Sequence, residues 1–91
     1  MATITERRLT IMNKVGLHAR PAALFVQTAA RFKDTRVEVV KDGAVRDAKS
    51  ILSVLTLGVS QGSTITVRAE GPQAEAAVAA LTDLVDRDFG E

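Results

Sequence analysis

No cysteine, tryptophan or tyrosine occurs among the 91 residues of this chain, and histidine occurs once, as His18. Without thiols there is no disulfide framework, no thiolate nucleophile and no zinc finger, and a lone imidazole cannot supply a histidine-rich metal site. Neither a metal nor a cofactor is expected. The few aromatic rings, Phe25, Phe32 and Phe89, leave little for nucleobases to stack on. An excess of one charge is missing too: 12 basic and 11 acidic side chains leave a formal +1, which argues against a strongly basic nucleic-acid binder and against an acidic disordered tail. Apolar runs last only a few residues, far short of the roughly 20 that span a bilayer, and Met1 to Arg8 is polar rather than signal-like. A cytoplasmic protein with no membrane contact is therefore expected.

What remains is an ordinary globular composition, 46% hydrophobic and 25% charged. The length suits a single domain over residues 1–91 and one site. Charge is nevertheless unevenly spread. Residues 1–68 hold 11 basic and 5 acidic groups, net +6, whereas residues 69–91 hold 1 basic and 6 acidic groups, net −5. The C-terminal segment is thus a solvated acidic element, and the basic face lies elsewhere.

Alternation through Leu9 and Ile11 predicts a half-buried strand over about residues 4–12, followed by a loop from Asn13 to Leu17 around Gly16. From Ala19, the residues Ala22, Phe25, Val26, Ala29 and Phe32 recur at helical spacing, giving an amphipathic helix of about three turns. Thr35 to Lys41 alternates again, Asp42-Gly43 is a two-residue hairpin turn, and Ala44 to Asp47 returns as a strand. That register sets Arg46 opposite Val39 on the inward side, which requires an edge strand whose arginine reaches out to water. Ser50 caps a short helix through Leu57 that is apolar around more than one face. After a loop bracketed by Gly58 and Gly62, Ile65, Val67 and Ala69 alternate as a strand. Gly71-Pro72 then opens a helix whose buried stripe is Ala74, Ala77, Val78, Leu81 and Val85. The order β-α-β-β-α-β-α implies an α+β domain, helices laid on one face of an antiparallel sheet and the other face open to water.

Chemistry concentrates in Gly16-Leu17-His18-Ala19-Arg20-Pro21-Ala22-Ala23, where the only histidine precedes a helix whose first turn carries an arginine and a proline. Singly, His18 reads as a surface or capping residue, Arg20 as a solvated charge, and Pro21 as a residue at home in a first turn. Together they describe an anion site. Unpaired amides of Ala19 and Arg20, the positive end of the helix dipole and a guanidinium fork would all meet a negative group beside His18, and phosphate fits best. An imidazole can itself accept a phosphoryl group and return it. No nucleotide-binding glycine loop or magnesium-binding acid cluster accompanies it, so another protein has to phosphorylate the chain.

The segments GLHARPAALFV at residues 16–26 and AKSILSVLTLGVSQG at residues 48–62, with the order of elements around them, carry a family likeness. Over essentially its full length the chain resembles the HPr family of phosphocarrier proteins of the bacterial phosphoenolpyruvate-dependent phosphotransferase system. The resemblance implies an open-faced β-sandwich, a four-stranded antiparallel sheet covered on one face by three helices. It implies that His18 accepts phosphate on Nδ1 from phospho-enzyme I and donates it to the A domain of a sugar-specific enzyme II, with Arg20 as the active-site arginine. Ser50 matches the serine that a dedicated kinase/phosphorylase modifies in some bacteria, and Ile51, Leu52 and Leu55 match the apolar patch that docks partners. An exposed apolar cluster with a polar rim reads independently as a binding surface, the alternative being burial of all three. The ending DRDFGE and the lead-in NKVGLHARP look like the nitrogen-related branch, and Gln27 and Ala30 stand where some members have basic residues.

Two functions compete on this reading. The first is a monomeric phosphocarrier feeding sugar uptake. The second is a regulatory protein, of the nitrogen-related branch or switched at Ser50, whose phosphorylated form acts on partners such as a transcription factor.

Overall fold

The cleanest alternation in the sequence becomes the middle of a sheet. In the computed structural model, which describes residues 3–90, Thr64–Glu70 pairs on one side with Ile4–Thr10 and on the other with Arg36–Lys41. We number the strands β1 (Ile4–Thr10), β2 (Arg36–Lys41), β3 (Ala44–Asp47) and β4 (Thr64–Glu70). They form one sheet in the order β1-β4-β2-β3, with every neighbouring pair antiparallel. Three helices, α1 (Ala19–Ala30), α2 (Ile51–Leu55) and α3 (Ala74–Asp86), complete the β-α-β-β-α-β-α order and the open-faced sandwich expected for it. Met1, Ala2 and Glu91, which belong to the expected 1–91 span, lie outside the described residues.

Inward side chains of the central strands, Val37, Val39, Ile65, Val67 and Ala69, are buried against the helices. Helix α3 contributes the whole expected stripe, Ala74, Ala77, Val78, Leu81 and Val85, and adds Leu84. Helix α1 contributes Ala22, Phe25 and Ala29; Val26, expected on the same face, is only half-buried. Phe32 lies past the end of α1 yet still reaches the core, because the turn after the helix is held from outside. The Lys49 ammonium donates to the carbonyls of Phe32 and Thr35, both at 2.7 Å. None of the helices is long and apolar enough to cross a membrane.

Besides the end of α1, the boundaries of β1 and α2 also depart from those expected. Strand β1 ends at Thr10 rather than near residue 12, although Ile11 stays tied to the loop before β4: its N–H donates to Ser63 O at 2.9 Å and its carbonyl accepts from Gly62 N at 2.7 Å. Helix α2 ends at Leu55 rather than Leu57. There the Thr56 hydroxyl donates to the Ser53 carbonyl at 2.7 Å, and Leu57 N donates to Val54 O at 3.2 Å, so the last turn tightens instead of continuing.

The hairpin behaves as expected, Asp42 and Gly43 both taking positive φ, +51° and +82°, as a two-residue primed turn requires. Arg46 pairs with Val39 on edge strand β3 and reaches outward, its Nε 3.4 Å from Thr56 Oγ1 and its Nη1 3.0 Å from Val45 O. The opposite edge repeats the arrangement. Arg7 of β1 stands opposite Val67, on the same side of its strand as buried Leu9. Both edges of the sheet thus carry an arginine at an inward register position, one of the devices that discourage a further strand from pairing. Past α3, Phe89 buries its ring at 4% exposure while its backbone takes φ +57°, a left-handed conformation that costs roughly 1–2 kcal/mol and persists because the ring fills the core.

Phe25 is the largest fully buried side chain. Phe25→Ala is expected to lower the unfolding free energy by about 3–5 kcal/mol, read as a fall in the urea midpoint. A loss below about 1 kcal/mol would mean that the interface between α1 and the sheet is loosely packed.

Candidate functional site

Helix α1 begins where the loop from β1 turns over the sheet, and the residue at that corner is His18. It is the N-cap, with extended backbone (φ −96°, ψ −167°). Its carbonyl accepts the first helical bond, from Ala22 N at 2.8 Å. Its ring is exposed and makes no capping hydrogen bond, so the imidazole is not spent on holding the helix.

The next three residues determine what an approaching group would meet. Ala19 and Arg20 occupy the first two helical positions, and Pro21, which has no N–H, is the third. The amides of Ala19 and Arg20 have no partner among the described residues, nor has the exposed Arg20 guanidinium. The first turn therefore offers two free backbone donors, a positive dipole end and an exposed cation around a free imidazole. This arrangement can hold a tetrahedral oxyanion against a ring nitrogen.

Ser50 is the N-cap of α2, as expected, its hydroxyl accepting from Ser53 N at a long 3.4 Å. Helix α2 packs on α1 and β3, burying Val54 and turning Ile51, Leu52 and Leu55 outward; Leu52 is 73% exposed. The alternative that this trio is core does not hold. Its exposure follows from a single turn of helix, which has one inward position to offer. His18 and Arg20 lie on the exposed surface. A recess of about 530 Å³ is bounded by Met12, Asn13, Lys14, Val15, Gln61 and Asp88. An open surface suits a group that must be reached by other proteins.

Sequence reasoning placed the loop in front of His18 at Asn13 to Leu17 but missed what fastens it. Asn13 is one of three buried polar residues among the described residues, and its Nδ2 donates to Gly16 O at 2.9 Å while Gly16 N donates to Asn13 O at 3.2 Å. Gly16 has φ +61°, and a Cβ there would lie 2.3 Å from the Val59 carbonyl, so only glycine fits. That carbonyl also accepts from Leu17 N at 3.0 Å, and Gln61 Nε2 donates to Met12 O at 3.1 Å. An asparagine three residues before a loop glycine was the available signal. Met12 and Val15, exposed and apolar, flank the same loop.

Comparisons with known proteins agree on one family. The family described as "PTS HPr component phosphorylation site" matches residues 5–87. The chain is 42% identical over 86 residues to the phosphocarrier protein HPr of Cupriavidus necator, covering 94% of this chain and 96% of that one. It is 40% identical over 85 residues to the HPr-like protein Crh of Halalkalibacterium halodurans, covering 93% of this chain and all (100%) of that one. The crystal structure of HPr-C-His from Thermoanaerobacter tengcongensis superposes with a TM-score of 0.93 at 50% identity, covering 96% of this chain and 97% of that one.

Two substitutions separate the roles of loop and cap. Gly16→Ala combines a forced left-handed backbone with a clash on Val59, and is expected to cost well over the roughly 1–2 kcal/mol of the backbone term, with amide chemical-shift changes centred on Leu17 and Val59. Ser50→Ala removes only a long capping bond and should cost about 0.5–1 kcal/mol by thermal unfolding. Equal losses at the two positions would contradict this geometry.

Proposed function

This chain belongs to the HPr family of phosphocarrier proteins, and on that premise we propose that it carries a phosphoryl group on His18, taken from phospho-enzyme I and passed to the A domain of an enzyme II. The observation that carries the reading is the exposed N-cap imidazole, unused in capping, beside two unpartnered amides and the Arg20 guanidinium.

The Nδ1 lone pair of neutral His18 attacks phosphorus, a P–N bond forms, and the bond from phosphorus to the donor breaks with its electron pair leaving on enzyme I. The ring proton stays on Nε2. In the transition state the three equatorial oxygens share the negative charge, and Arg20 with the first-turn amides is placed to meet it. Transfer onward is the same step in reverse, so the site must stabilise the bound phosphoryl group without burying it. Ile51, Leu52 and Leu55 serve as the docking patch for both partners, which explains why three large apolar side chains stay in water. The chain acts in this reading as a cytoplasmic monomer, one domain with one transferable group, and contributes to sugar uptake.

A regulatory reading has support from similarity to Crh that nearly equals the similarity to HPr. In that reading a kinase/phosphorylase modifies Ser50, and the phosphorylated form acts on a transcription factor or another partner. A phosphate there adds about 1.5–2 negative charges beside the docking patch at a helix start, which would keep the fold and weaken an apolar or acidic partner.

Incubation with phosphoenolpyruvate and enzyme I, followed by mass spectrometry of acid-labile phosphate, tests the primary reading. His18→Ala should abolish labelling with the circular dichroism spectrum unchanged; labelling that survives would refute the assignment. Arg20→Ala should slow transfer by one to two decades, the equivalent of about 1.5–3 kcal/mol of charge-assisted hydrogen bonding, with little change in melting temperature. Arg20→Lys should recover only part of the rate, because an ammonium cannot make the two-pronged contact. A phosphorylated chain that hands nothing to any sugar-specific A domain would favour the regulatory reading.

A further inference from the structure

The loop from Ile11 to His18 has no regular secondary structure, yet it has to hold the N-cap dihedral on which the free imidazole and the free amides depend. Its backbone is fastened at Ile11 and Leu17 to the segment before β4, while Lys14 and Val15 between them are exposed. Across that exposed stretch the Asn13 side chain closes the turn onto the Gly16 carbonyl, two residues before His18. The residue is 6% exposed, so its amide group is committed to the protein interior.

We infer that Asn13 is a positioning residue for the phosphoryl acceptor, its Nδ2–H holding the Gly16 carbonyl so that His18 enters α1 with its ring set over the first-turn amides. The inference rests on the phosphocarrier reading and deepens it. A buried carbonyl that loses its donor turns toward water, and here the peptide that would turn leads through Leu17 into the N-cap. The displaced quantity is the angle between the ring nitrogen and the amides that receive the phosphoryl oxygens, and misplacement on the order of 1 Å costs up to about a hundredfold in rate. Docking should be spared, because Ile51, Leu52 and Leu55 belong to α2, a different element from the loop that holds Asn13. A residue needed only for stability would leave the transfer rate of folded molecules untouched.

Single-turnover transfer from phosphorylated enzyme I, followed as a function of enzyme I concentration and below the melting temperature of every variant, separates these roles. Asn13→Asp keeps the side-chain shape and removes the donor; Asn13→Ala removes both; Asn13→Ser restores a shorter donor without charge. Asp and Ala are expected to lower the saturating transfer rate about tenfold or more, while the half-saturating enzyme I concentration stays within about twofold; Ser should regain part of the rate. Faster amide exchange at Gly16 and Leu17 in the Asp variant should accompany the loss. Parental rates in folded variants, a loss confined to the half-saturating concentration, or loss of fold in both Asp and Ala would overturn the inference. Failure of the parent to accept phosphate on His18 is visible in the parent alone and overturns the phosphocarrier reading along with it.

Discussion

The last strand in the chain is an inner strand of the sheet, paired on both sides, and the site hangs on that fact. By pairing with both β1 and β2, β4 completes the inner sheet face, and it carries the segment Val59–Ser63 into place beside the loop that leads to α1. The Val59 carbonyl then meets Gly16 so closely that no side chain is admitted and takes the Leu17 amide as its donor. Two stretches more than forty residues apart in sequence thus determine one backbone corner. Until β4 pairs, neither Asn13 nor Gly16 has a reason to adopt its native turn, so the start of α1 becomes well defined only when the sheet closes.

At that corner, the proline contributes by what it lacks. A helix of twelve residues ordinarily exposes several amides at its start, each of them a donor that a bound anion or water must satisfy. Pro21 deletes one of them and is buried, so the first turn is anchored in the core and presents its remaining donors at Ala19 and Arg20 only. Short α2 solves a different problem with similar economy. One inward residue, Val54, suffices to seat it, which leaves three large apolar side chains on the surface without weakening the core.

Element type and order were legible because the inward positions follow their periods closely: two in Ile65, Val67 and Ala69, and close to four in Ala74, Ala77, Val78, Leu81 and Val85. The hairpin was legible because Asp-Gly admits positive φ at both positions. Boundaries were less so, since α2 ends through the Thr56 hydroxyl and Leu57, which continues the apolar pattern, belongs to a turn. His18, Arg20 and Ser50 stood out through chemistry next to a helix start. Asn13 did not, because its role depends on burial, and burial of that loop depends on β4. Phe89 was equally opaque: nothing local says that an aromatic after the last helix will bend back, against its own backbone preference, into the core.

The two edge arginines bear on how this fold behaves in a crowded solution. Arg7 and Arg46 each stand at an inward register position of an edge strand, Arg7 exposed and the Arg46 guanidinium bonded outward to Thr56 and Val45, at the place where an added strand would have to sit. Extending the sheet from either side would strip water from the guanidinium at that edge. A charge-neutral replacement at either rim would leave the isolated molecule nearly as stable and change its colloidal behaviour instead, lowering the concentration at which copies begin to stack edge to edge. Resistance to edge-to-edge pairing is thus placed at two positions that the pattern of strand alternation would have given to an apolar side chain.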